Sequence, residues 1–86
     1  MAEVTAKEST QVVNVPPATG QIQLFYVKGT SAANNDTLTV TGMTTVLGAF
    51  LISTTGTVGT MTFATNVITI TNGGTLIWTG LAWGRQ

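Results

Sequence analysis

The stretch Val67-Ile68-Thr69-Ile70-Thr71-Asn72-Gly73-Gly74 decides the fold class. Its first five residues are all β-branched, and such side chains are stiff at χ1 and suit a pleated surface. Asn72-Gly73-Gly74 follows with positions that tolerate φ > 0, the strongest hairpin signal in the chain. Thr65-Asn66, just before, reads as a second tight turn. A strand bounded by turns on both sides is therefore expected here.

The same texture extends outward in both directions. Gln21 to Lys28 opens with polar/apolar alternation, the period of a strand. Asn34-Asn35-Asp36 is a turn cluster, and Thr37-Leu38-Thr39-Val40-Thr41 alternates again. Thr45 to Ser53 is mostly apolar and of strand length, which predicts burial on both faces. Thr57 to Ala64 is a weaker strand, interrupted by Gly59, and Thr75 to about Trp83 is the last. Nowhere does a helical period persist. About six short strands separated by turns predict an all-β body, a small sandwich or barrel, over residues 21–86. The series Asn34-x-x-Thr37-Leu38-x-Val40-Thr41-Gly42 also lines up with Asn72-x-x-Thr75-Leu76-x-Trp78-Thr79-Gly80, a faint repeat.

Residues 1–20 differ from this body. They hold Glu3, Lys7 and Glu8, half of all the charges, and run into Val15-Pro16-Pro17. Two prolines fix φ and withhold two N–H donors, so an extended N-terminal arm is expected. Val12, Val13 and Val15, with Pro16 and Pro17, are its candidate contacts to a neighbouring subunit.

Composition excludes much chemistry. The 86 residues contain no Cys and no His, so thiolate metal sites, disulfides and histidine general bases are absent. Glu3, Glu8 and Asp36 are the only carboxylates. Two lie on the arm, and Asp36 reads as a turn residue bonding nearby backbone N–H groups. No pair is placed for acid–base work, and one body carboxylate is too few for calcium. Ser9, Ser31 and Ser53 lack an activating partner. The chain is therefore expected not to be an enzyme and to need no cofactor. Lys7, Lys28 and Arg85, scattered, do not suit a nucleic-acid backbone. The longest apolar run is far short of a membrane-spanning helix. Met1-Ala2-Glu3 opens without an apolar core, so synthesis in the cytoplasm without a secretory signal is expected.

From Thr37 to Gly84 there is no charged residue, 48 positions in all. Sheet proteins ordinarily protect their edges with Lys, Glu or Pro. A body without these defences is expected to be covered by copies of itself or by a larger partner. Trp78 and Trp83, five apart, fall on opposite faces of a regular strand. Trp78 reads as core, whereas Trp83, Arg85 and Tyr26 are candidate interface residues.

The pattern Asn34-Asn35-Asp36-Thr37-Leu38-Thr39-Val40-Thr41-Gly42, followed by Ala64-Thr65-Asn66-Val67-Ile68-Thr69-Ile70, resembles small β-rich head-decoration (cement) proteins of tailed bacteriophages. The likeness covers residues 21–84 and is one of style, without a diagnostic motif. It implies a structural virion protein on the capsid exterior, a trimer or other closed oligomer clamping major capsid subunits. Two other readings share these features: a filament subunit assembled by donor-strand exchange, and a small carbohydrate-binding module.

Overall fold

The computed structural model describes residues 2–12 and 22–85, and its described part is all-β. Seven strands follow one another: β1 (Thr5–Gln11), β2 (Gln23–Thr30), β3 (Asp36–Thr39), β4 (Thr45–Ser53), β5 (Met61–Ala64), β6 (Val67–Ile70) and β7 (Ile77–Arg85). They form two antiparallel sheets, ordered β1-β2-β7-β4 and β3-β6-β5. Alternation along β2 sends Phe25, Val27 and Gly29 inward and Leu24, Tyr26 and Lys28 outward. Leu38, Ile68 and Ile70 of the smaller sheet meet Phe25, Val27, Leu51 and Trp78 of the larger one in a single core.

Trp78 is the largest fully buried side chain. Its indole Nε1–H donates to Ser31 Oγ at 2.9 Å. That hydroxyl lies 2.8 Å from the Gly74 carbonyl oxygen and 3.1 Å from that of Gly73. Because a hydroxyl can accept and donate at once, Ser31 satisfies Trp78 and tethers the crossover before β7.

Both open sides of the sandwich are closed by backbone. On one side Val4 N–H donates to Thr37 O and Thr37 N–H to Ala2 O, so residues 2–4 extend the β3 edge. The chain then crosses to the other sheet as β1, whose Thr5 already pairs with Thr30, and Ala6, with φ +50°, lies at the register shift between Thr5 and Glu8. On the other side Gly59 N–H donates to Leu51 O and Val46 N–H to Thr65 O, clipping both ends of the β5 segment to β4.

Several expectations are corrected here. The arm expected over 1–20 is part of the body over residues 2–12, because β1 supplies the fourth strand of the larger sheet; the seventh strand comes from this segment. Asn72-Gly73-Gly74 does not make a hairpin, since β6 and β7 belong to different sheets. Asn72 instead bonds Thr60 N–H and Val58 O, which turns the chain across the sandwich. The two-residue hairpin is Thr65-Asn66, between β5 and β6. β4 is buried on one face only: Phe50 is 50% exposed and Ile52 37%. The repeat places β3 at an edge and β7 in a centre, so its halves are not equivalent.

Replacing Ser31 by Ala should leave the indole N–H of Trp78 buried without a partner, at a cost of about 1–3 kcal/mol. At about 4–8 °C per kcal/mol for a domain of this size, thermal unfolding should show a fall of several degrees or more. An unchanged melting temperature would mean that the indole finds another acceptor.

Candidate interaction surface

Strand β7 reverses the usual disposition of side chains. Its inward positions after Trp78 are Gly80, Ala82 and Gly84, whereas Ile77, Leu81 and Trp83 point outward. Register then places neighbours on the same outer face. Leu81 lies between Tyr26 of β2 and Phe50 of β4. Trp83 lies between Leu24 and Gly48, and Thr79 between Lys28 and Ile52. Leu81 is 40% exposed and Trp83 37%. The result is an apolar strip running diagonally over the three strands β2, β7 and β4.

Trp83 is held in place by an absence. A side chain at Gly48 would meet Trp83 Cζ2, Cε2 and Nε1 at 2.5, 2.6 and 2.7 Å. Those distances are nearly equal, so the indole lies face-on over Gly48 and keeps its other face outward. A glycine covered by a cross-strand aromatic in this way restores the packing that its missing side chain forgoes. The register shift between Val46 and Gly48 leaves Leu47 at a bulge, where it is also exposed.

Charge on this face is sparse. Glu8 and Lys28 face each other across β1 and β2, and Arg85 stands exposed at the end of β7 opposite Thr45. The other two carboxylates hold the N-terminal segment. Asp36 accepts from Ala32 N–H at 2.7 Å, Ala2 N–H at 3.1 Å and Ala33 N–H at 3.2 Å. These bonds, that from Ala32 foremost and then that from Ala2, hold its carboxyl below the ordinary value of 3.8. For Glu3, partial burial pushes the carboxyl up. Bonds from Thr39 N–H, Thr37, Lys7 and Thr39 Oγ1 outweigh it, and the net direction is below 4.5. The reading of Asp36 as a backbone-bonding turn residue therefore holds, although it opens β3 and is almost fully buried.

Of the residues expected at interfaces, Tyr26 and Trp83 come together on the outer face, and Arg85 lies at its end. Val12 is exposed where its N–H donates to Leu24 O. Val13, Val15, Pro16 and Pro17 lie outside the described residues. Sequence reasoning missed Phe50, Leu81, Ile52 and Leu24. The signal lay in β7, whose alternating small residues cannot accompany a partner strand buried on both faces. Among the described residues there is no group of three His, Cys, Asp or Glu able to hold a metal, and no helix long and apolar enough to cross a membrane. Compared with known protein families, curated proteins and solved structures, the chain has no match.

The two depressed carboxyls set a pH prediction. A group whose folded pKa lies below its unfolded value stabilises the fold above the unfolded value and loses that contribution as pH falls through the folded one. Urea midpoints should hold near neutrality and decline below about pH 4. The amides of Val4 and Thr37 should lose exchange protection there before the core does. A flat profile down to about pH 2 would show that neither carboxylate anchors residues 2–4.

Proposed function

We propose that this chain is a non-enzymatic structural assembly protein, and specifically a virion head-decoration subunit. In this role it forms a closed oligomer on the capsid exterior and braces neighbouring major capsid subunits through its uncharged β surface. The observation that carries the reading is the inversion of β7. A central strand whose inward positions after Trp78 are Gly80, Ala82 and Gly84, with Leu81 and Trp83 outside, leaves much of its apolar bulk unburied within one chain. Exposed apolar surface in one continuous patch marks an interaction site. The uncharged run from Thr37 to Gly84 supports the same reading, because a partner surface would need to desolvate few ions.

Binding to an assembled shell would stabilise it by mass action, since the subunit would favour the assembled over the dispersed capsid protein. The filament reading receives less support, because residues 2–11 are already paired with the chain's own β3 and β2. The aromatic residues Tyr26, Phe50 and Trp83 on one face would also suit a sugar. Their neighbours Leu24, Leu81 and Ile52 offer no hydrogen bonds to hydroxyls, which favours a protein partner.

Co-sedimentation with a panel of emptied tailed-phage heads tests this. Stoichiometric pelleting with shells, and a higher shell melting temperature, are the expected results. Failure to bind any head, together with quenching of tryptophan fluorescence by soluble glycans, would move the assignment to a carbohydrate-binding module.

A further inference from the structure

We infer that the outer face of the four-stranded sheet is a homotypic interface, on which a second copy of this chain docks about a two-fold axis running along β7. The inference rests on the assembly reading above and assigns it a face, a partner and a symmetry, a dimer in place of the expected trimer.

The register makes the face self-complementary. Rotation about an axis parallel to β7 preserves position along the strand and exchanges left for right. The β2 side of one copy then covers the β4 side of the other. At the level of Leu81, Tyr26 of one copy meets Phe50 of the other, because both flank Leu81 in the same row. At the level of Trp83, Leu24 comes over the outer face of the indole that covers Gly48. At the level of Thr79, the aliphatic stem of Lys28 covers Ile52 and its ammonium reaches the rim. Aromatic pairing of Tyr26 with Phe50 adds to the area buried.

Charge complementarity points to a copy of the chain. Between Lys28 and Arg85, which flank it, the strip holds no ion and needs an equally uncharged partner surface, and this strip is one. Glu8 lies on β1, outside the strand rows that overlap, and Lys28, inside them, lies against the partner's edge strand β4, past which its ammonium reaches solvent beside Glu8. The three overlapping strands, spaced about 4.8 Å apart at about 3.3 Å per residue over strands of this length, present a footprint of roughly 380 Å². Side-chain relief adds to that area, which places the interface among the smaller specific ones, below the ~800 Å² per partner of the standard size. Two antiparallel sheets packed face to face in this way make a layer like the one inside the sandwich itself.

Sedimentation of the full chain should give a dimer mass across a tenfold dilution, and Leu81→Lys or Phe50→Lys should halve it while far-UV circular dichroism stays unchanged. Thr62→Lys, on the exposed side of the smaller sheet, should remain dimeric. The chain has no cysteine, so single cysteines report the geometry. Thr79→Cys, on the axis, should cross-link with a short bis-maleimide, and Thr62→Cys should not. A monomeric wild type, a dimer that survives both Lys variants, or equal cross-linking at positions 79 and 62 would overturn the inference. Should a lysine variant fail to fold, the cross-linking pair still decides. A dimer that binds no phage head would leave the interface standing and remove the decoration role. A monomer that binds heads would do the reverse.

Discussion

The fold depends on giving the Trp78 indole a polar partner in a dry core. Its N–H is satisfied by Ser31, and the same hydroxyl reaches the carbonyl oxygens of the crossover that leads into β7. One short contact thus joins the end of β2, the Gly73-Gly74 segment and the centre of the larger sheet. The neighbours of Trp78 are small in consequence. Gly29 and Ser53 are its partners on the adjacent strands, and Gly59 lies against its ring. With the inner volume at this end taken by one indole, β7 continues inward with Gly80, Ala82 and Gly84. Leu38, Ile68 and Ile70 of the opposite sheet supply the rest of the core. The bulk of β7 is left for its outer face, so the candidate interface and the core arrangement have one origin.

Neutrality shapes the edges as well. Where other sheet proteins place lysine, this chain uses backbone. Residues 2–4 cover β3, and Gly59 and Thr65 clip the β5 segment to β4. Val4 is part of the core here, seated where Gly29 leaves no room for a side chain of its own: a Cβ on Gly29 would approach Val4 Cγ2 to 2.4 Å. Carboxylates serve as internal fasteners, with Asp36 and Glu3 both binding backbone N–H groups. The Lys7–Glu3 ion pair at 3.2 Å is exposed and adds little beside them.

Much of this was legible in the sequence for physical reasons. β-Branched runs and turn residues announced an all-β body, and the five-residue spacing separated Trp78 from Trp83 onto opposite faces. Local rules failed where a partner outside the local segment decided the outcome. The first strand was hidden because Thr5 to Gln11 is polar and exposed, held at the edge by pairing to β2 and by Gln11 donating to the buried Gln23 amide. The turn chemistry of Asn72-Gly73-Gly74 marks a turn but not the hairpin expected of it, because which sheet receives the next strand is a tertiary matter. The apolar run of β4 looked doubly buried because hydrophobicity does not say which face a second sheet covers. Its exposed half, and with it most of the interaction surface, follows from the register with β7.

The strand order carries a kinetic consequence. β7, the last of the described strands, sits between β2 and β4, which have no direct pairing with each other. The larger sheet therefore cannot assemble until the polypeptide has been made through Arg85. Trp78 and Ser31 are 47 positions apart, and contacts of such separation give slow folding. While β7 is still being synthesised, β2 and β4 remain unjoined, with apolar segments that carry few charges. Nascent chains of this protein are thus most vulnerable to association with the wrong strands until residues 77–85 are available, and slower translation of those residues would lengthen that exposure.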